Sequence, residues 1–175
     1  RILPWARAYK NLEENKHTAL FAMTRTKQRE NQFKWVGPFA TTNISLIAKK
    51  NNNIILGSVK EINKYKIGVV RDDIGEQLLY NLGVKAKQIE NTGGIDAIHK
   101  LIKMLNRNRF DLLSYEADVL AWEMRKLGFN MDDYEIVYHL LQTQQYFAFH
   151  KDTPDSIIKL LQNTLDMLIK EGHQQ

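Results

Sequence analysis

No cysteine occurs anywhere in the 175 residues, which excludes disulfides, thiol catalysis and thiolate metal sites and leaves the compartment open. Long apolar runs are missing as well, and no stretch approaches the roughly 20 apolar residues of a membrane-spanning helix. The opening Arg1-Ile2-Leu3-Pro4-Trp5 has no charged leader followed by an apolar core, so no secretion signal is read there, as expected also of a mature or trimmed chain. Low-complexity tracts are absent. Basic residues do not cluster: 25 Lys and Arg against 20 Asp and Glu give a net charge of +5, yet no block of five or more occurs. The basicity therefore reads as a solvated surface, and with no evident recognition helix, nucleic acid is not an expected partner.

Catalytic signatures are scarce too. His17, His99, His139, His150 and His173 show no HxxxH-type ligand spacing. The few serines make no GxSxG elbow, and Gly68 and Gly75 make neither GxGxxG nor a phosphate loop. No enzyme activity, no metal and no cofactor is expected.

What is present is a 43% apolar chain with 10% aromatics, enough to build a core. Short apolar runs alternate with amphipathic segments, the pattern of an α/β fold with largely parallel sheets. Strands are expected at Ile2-Leu3, 18–23, 34–39, 43–49, 66–71, 87–90, 110–113, 135–140 and 145–150, with Pro38 marking an edge or a break. Helices are expected from Pro4 to Asn11, with Trp5, Ala8 and Leu12 on one face, and over 73–82, 95–105 and 116–127. Thr26 caps a single turn through Glu30. A final helix begins at Thr153-Pro154-Asp155, with Thr153 as cap, Pro154 in its first turn, and Ile157, Leu160, Leu161, Leu165 and Leu168 facing a core.

Six segments then occur in a familiar order: residues 4–9 (PWARAY), 19–30 (ALFAMTRTKQRE), 33–39 (FKWVGPF), 65–79 (YKIGVVRDDIGEQLL), 108–116 (NRFDLLSYE) and 146–172 (YFAFHKDTPDSIIKLLQNTLDMLIKEG). Together they resemble the bacterial extracellular solute-binding proteins of family 3, which serve polar amino acid uptake, and in particular the proteobacterial branch with a WVGP motif, here residues 35–38. The resemblance implies a two-lobed, type II periplasmic-binding-protein fold of α/β lobes. Lobe 1 would comprise residues 1–41 and 147–175 and lobe 2 residues 42–146, joined by hinge strands near 39–46 and 141–147 that let the lobes close on a solute.

It also implies a binding site. The Thr-x-x-Arg turn at Thr26–Arg29 places Arg29 to hold a ligand carboxylate, for which a guanidinium offers a planar fork. Thr24 aligns with a hydroxyl residue on the same ligand. Ala22, Met23 and Arg25 depart from the small polar residues usual there. Glu116 is placed to pair with an α-amino group, or simply serves a helix start, and Tyr115 beside it could close over an apolar or aromatic moiety. Asp72, Asp73 and Ile74 form the loop that in relatives faces the carboxylate. As carboxylates at a helix start, Asp72 and Asp73 suit the macrodipole; as ligand contacts, they favour a more cationic ligand or a different binding pose. Trp5 and Arg7 lie where relatives put ligand-facing side chains, with core packing the alternative for Trp5.

The family begins earlier, with a strand and helix that complete lobe 1, so lobe 1 is expected to be incomplete at its N-terminus. Either the chain is a fragment, or a second copy completes the lobe by strand exchange in a homodimer. The expected function is capture of a polar amino acid or similar small solute in the periplasm for an ABC transporter permease. The alternatives are a ligand-sensing domain of a signalling protein, or a truncated remnant that no longer binds ligand.

Overall fold

The computed structural model describes residues 1–172. The chain divides into two compact units, a larger one of Arg1–Ala6 with Thr42–Gln142 and a smaller one of Arg7–Thr41 with the residues from Thr143 onward. Among the described residues there are five α-helices, α1 (Trp5–Glu14), α2 (Ile74–Asn81), α3 (Ala97–Asn106), α4 (Ala117–Lys126) and α5 (Asp155–Lys170). Six strands, β1 (Ala19–Thr24), β2 (Phe33–Lys49), β3 (Ile67–Val70), β4 (Ile89–Thr92), β5 (Leu112–Glu116) and β6 (Tyr134–His150), are hydrogen-bonded in the order β1-β6-β2-β5-β3-β4. β2 and β6 are each 17 residues long and carry the chain from one unit into the other.

In the larger unit β3 pairs in parallel with both β4 and β5, and β2 runs antiparallel to β5. All four residues of β3 (IGVV) are buried, as a strand covered on both faces requires. Successive side chains leave a strand on opposite faces. Ile67, Val69, Leu46 and Leu112 thus join Leu79 of α2 in one core, while Val70, Ile47 and Leu113 join Leu101 of α3 and Met124 of α4 in the other. The turns after β3 and β5 therefore lie at the C-terminal end of parallel strands, where open α/β sheets bind ligands.

The smaller unit is built on β1 paired antiparallel to β6, from Ala19↔Phe149 to Thr24↔Gln145. The register shifts between Leu20 and Met23, where Ala22 takes a left-handed φ of 61°. Leu12, Met23, Phe33, Val36 and Ala148 are buried here. Edge-to-face aromatic contacts run from Tyr9 to Phe33 to Trp35 to Tyr146.

Several expectations are corrected. The sheet is mixed rather than largely parallel, because β2 and β6 are long antiparallel strands. Residues 34–39 and 43–49 are one strand, as are 135–140 and 145–150. Pro38 follows a cis peptide bond inside β2 and does not break it. Ile2 and Leu3 are in no strand, and β5 starts at Leu112 rather than Phe110, whose ring instead packs on β3. Pro154 occupies the N-cap position of α5, and the Thr153 hydroxyl is buried without a hydrogen-bond partner, so it does not cap the helix. Ile157, Leu160, Leu161 and Leu168 are exposed rather than facing a core, because Ile158, Gln162 and Leu165 are the α5 side chains turned inward.

Gly68 shows how tightly the larger unit is packed. A Cβ there would stand 2.3 Å from Phe110 Cζ, with both neighbouring ring carbons at 2.6 Å. Phe110 is itself buried, so its ring has little room to retreat. Gly68→Ala is expected to destabilise the protein by about 2–3 kcal/mol, as overpacking does, read as a lower urea midpoint.

Candidate functional site

In the larger unit, the turn after β3 is held from three directions. Asp72 has a left-handed φ of 60°. Its backbone N–H donates to Glu76 Oε2 at 2.6 Å, while its carbonyl accepts from the Trp5 indole N–H at 2.8 Å and from Gln77 Nε2 at 3.2 Å. Glu76 is buried and also accepts from Asn91 Nδ2 at 2.9 Å. Asp73 is the N-cap of α2 with extended backbone. Ile74 is buried at the first helical position, so its side chain is turned into the core. Gly75 lets this helix start approach β5, since a Cβ there would come within 2.8 Å of Ser114 Oγ. That hydroxyl is buried with no hydrogen-bond partner.

Tyr115 and Glu116 follow at the end of β5. Glu116 is both the last residue of β5 and the N-cap of α4, and its Oε2 accepts from Thr42 Oγ1 at 3.2 Å. Tyr115 packs against the same core as Trp5. Burial pushes its hydroxyl pKa well above the usual tyrosine value, and the carboxylates of Asp73, Glu116 and Glu123 push it further in the same direction. The fold thus brings Trp5, Asp73, Tyr115 and Glu116 together as an aromatic and acidic group.

In the smaller unit, Arg29 is 2% exposed and Thr24 3%. The Arg29 backbone N–H bonds Thr26, at 3.0 Å to its carbonyl and 3.3 Å to its hydroxyl, which fixes the turn. Its Nη1 donates to the Thr24 carbonyl at 3.2 Å, and its guanidinium lies 5.2 Å from the centre of the Tyr9 ring. The Thr24 hydroxyl accepts from Gln145 Nε2 at 3.5 Å. Arg25 is occupied differently, donating through Nε and Nη2 to both oxygens of Glu30 at 2.7 and 2.5 Å, with the rings of Trp35 and Tyr146 within 5.6 Å. That hydrogen-bonded pairing holds the Glu30 carboxyl below its usual range. Arg7 is exposed on α1 and joins neither group.

Sequence reading missed Thr42, Tyr9, Glu76 and Ser114. Glu76 left a usable signal, because Asp73 and Glu76 have the spacing of a capping box. Among the described residues, no group of three or more His, Asp or Glu is placed to hold a metal ion, and His173 lies outside them. His99 instead pairs with Glu123 at 2.8 Å and His139 with Ser45 at 3.2 Å. No helix among the described residues is long and apolar enough to cross a membrane.

No protein-family model matches the chain, and no curated protein matches it by sequence. Solved structures do match in fold. A histidine kinase sensor domain with similarity to periplasmic binding proteins superposes with a TM-score of 0.82 at 15% identity, over 97% of this chain and 72% of its own. An ancestral arginine-binding protein bound to glutamine gives 0.75 at 18% identity, over 96% and 72%. The arginine-, lysine-, histidine-binding protein ArtJ from Geobacillus stearothermophilus gives 0.78 at 13% identity, over 97% and 71%. The fold is therefore that of the two-lobed α/β periplasmic binding proteins. These neighbours are binding and sensor proteins.

The environment of Tyr115 has a measurable consequence. An unfolded tyrosine ionises near pH 10, whereas folded Tyr115 holds its proton to higher pH. The stabilisation is thus complete below pH 10 and is lost as pH rises through 10 toward the folded value. Denaturation at several alkaline pH values is expected to show a shallower loss of stability in Tyr115→Phe than in the parent. Coincident slopes would mean that the hydroxyl is not in this environment.

Proposed function

We propose that the chain is a solute-binding module for a polar amino acid or similar small solute, with a preference for a cationic one. The observation that carries this reading is the aromatic and acidic group of Trp5, Asp73, Tyr115 and Glu116, on a fold shared with amino acid-binding proteins. Glu116 supplies a carboxylate for a ligand ammonium, and the Asp72–Asp73 turn a second one for a cationic side chain. Tyr115 and Trp5 offer aromatic surface to the stem between them. Ile74 contributes its backbone.

Arg29 and Thr24 are the residues of the smaller unit assigned to the ligand carboxylate. A guanidinium held by Thr24 and Tyr9 is ordered before the ligand arrives, so less entropy is lost on binding. Because Arg29 is 2% exposed, access to it requires the side chains covering it, Tyr9 among them, to shift. Arg7 enters the set through the family resemblance alone, since its side chain is exposed on α1. In this reading the protein works outside the cytoplasmic membrane, residues 39–46 and 141–147 act as hinges, and the partner is an ABC transporter permease that recognises the ligand-bound form. A sensory role is supported by the likeness to the kinase sensor domain, whose TM-score is 0.82. It uses the same residues and differs in the partner, so permease ATPase stimulation separates the two.

Calorimetry with L-arginine, L-lysine, L-histidine and L-glutamine tests the site. Arg29→Ala is expected to weaken binding of the preferred solute by about thirtyfold or more, the cost of truncating one side of a desolvated charge pair. Glu116→Gln is expected to cost about tenfold, falling on the cationic solutes and glutamine alike because both carry the α-ammonium. Unchanged affinity in Arg29→Ala would remove Arg29 from the site. No thermal shift with any of the four would leave the non-binding remnant as the better description.

A further inference from the structure

The hydrogen bonds that hold the Asp72 turn continue into the sheet. Ile67 and Val69 of β3 and Ile89 of β4 face the core shared with α2. Asn91 pairs with Val69 in the parallel register, so alternation puts its side chain on that same face. Arg71 follows two residues after Val69, and its backbone N–H donates to the Thr92 carbonyl at 3.1 Å, which carries the ladder one step past β3. On this face Arg71 Nε donates to Asn91 Oδ1 at 3.3 Å, and Asn91 Nδ2 donates to Glu76 Oε1 at 2.9 Å. Glu76 Oε2 in turn accepts from the Asp72 backbone N–H at 2.6 Å. One row of bonds thus runs from the end of β3, through β4 and α2, back to the turn that follows β3.

The direction of this row is fixed at both ends. A guanidinium only donates and a carboxylate only accepts, whereas the amide between them does one of each. Arg71 therefore claims the Asn91 oxygen and leaves its nitrogen for Glu76. Glu76 is 5% exposed, so its oxygens depend on donors supplied by the protein. With Asn91 on Oε1, the carboxylate is oriented and Oε2 is presented to the Asp72 N–H. That last bond matters because Asp72 keeps a left-handed φ of 60°, which a residue with a side chain holds only where its surroundings compensate. The Asp73 carboxylate follows directly on this backbone.

We propose that Asn91, oriented by Arg71, is a positioning residue that acts through Glu76 on the Asp72–Asp73 turn and so sets its preference for a cationic solute. This rests on the reading of that turn as part of a solute site. Asn91 and Arg71 themselves are not assigned to the solute.

Exchanging donor and acceptor across one bond tests the relay. In Glu76→Gln an amide nitrogen meets either the Asn91 nitrogen or, if Asn91 turns over, leaves that nitrogen facing Arg71. In Asn91→Asp two carboxylates face each other. The combined variant keeps the net charge and matches every bond again, because the new amide donates to the new carboxylate and Arg71 still meets an oxygen. At mildly alkaline pH and without solute, exchange of the Asp72 amide proton, followed by NMR, is expected to quicken about tenfold in each single variant. It should return to within about threefold of the parent in the combined variant. By calorimetry Asn91→Ala, which changes no charge, is expected to lower L-lysine affinity about threefold relative to L-glutamine, since only lysine brings a cationic side chain to the turn. A merely structural loss would lower both alike. Unaltered exchange in the two single variants, or no recovery in the combined one, overturns the relay. A parental lysine-to-glutamine ratio in Asn91→Ala overturns its part in selectivity. A parent that binds neither amino acid overturns the solute-site reading instead, and the exchange rates still decide the relay.

Discussion

The pairing of β2 with β5 is the contact on which the larger unit depends. With Ile44 opposite Glu116 and Ala48 opposite Leu112, it sends Leu46 and Leu112 into one core and Ile47 and Leu113 into the other. It also leaves Thr42 within reach of the Glu116 carboxylate. A slip of one residue would exchange the two faces of β2 and carry Thr42 away from its partner. On its other edge β5 pairs in parallel with β3, so the strand ends bearing Asp72 and Tyr115 lie at the same end of the sheet. One register therefore sets two cores and one electrostatic neighbourhood.

The smaller unit shows how little of a side chain's role is carried by its type. Arg25 and Arg29 are four residues apart and carry the same charge. Arg25 lies at the surface, tied by both arms to Glu30 and flanked by Trp35 and Tyr146, and holds the turn together. Arg29 lies inside, with the Thr24 carbonyl and the Tyr9 ring beside it. Desolvation separates the two, because an interaction with the inner guanidinium is screened far less than one with the outer.

Much of the local structure is legible in the amino-acid order. The buried run IGVV announces a covered strand, Gly83 sits at the end of α2, and the apolar periodicity after Asp96 gives α3 with Leu101, Ile102 and Leu105 inside. The long strands are less legible, since Pro38 and the polar residues 142–145 look like interruptions, and only pairing with neighbours keeps such segments extended. α5 misleads for the opposite reason: its apolar periodicity is strong, but periodicity does not say whether a face meets its own unit or something else. At the site, residue types and the turns carrying them can be read off, whereas their partners cannot. Trp5 bonds a backbone carbonyl 67 positions away and Thr42 a carboxylate 74 positions away, and nothing local encodes either distance.

The Asp72 turn, fastened by Trp5, Glu76 and Gln77, bears on the thermodynamic signature of recognition. A mobile loop that orders around a ligand adds a large unfavourable entropy and shows enthalpy compensated by ordering. A turn already fixed by its own hydrogen bonds has little disorder left to lose. Under the proposed function, solute binding at this end of the sheet should therefore draw its heat-capacity change mainly from the surface that the solute itself covers, rather than from folding of the protein around it.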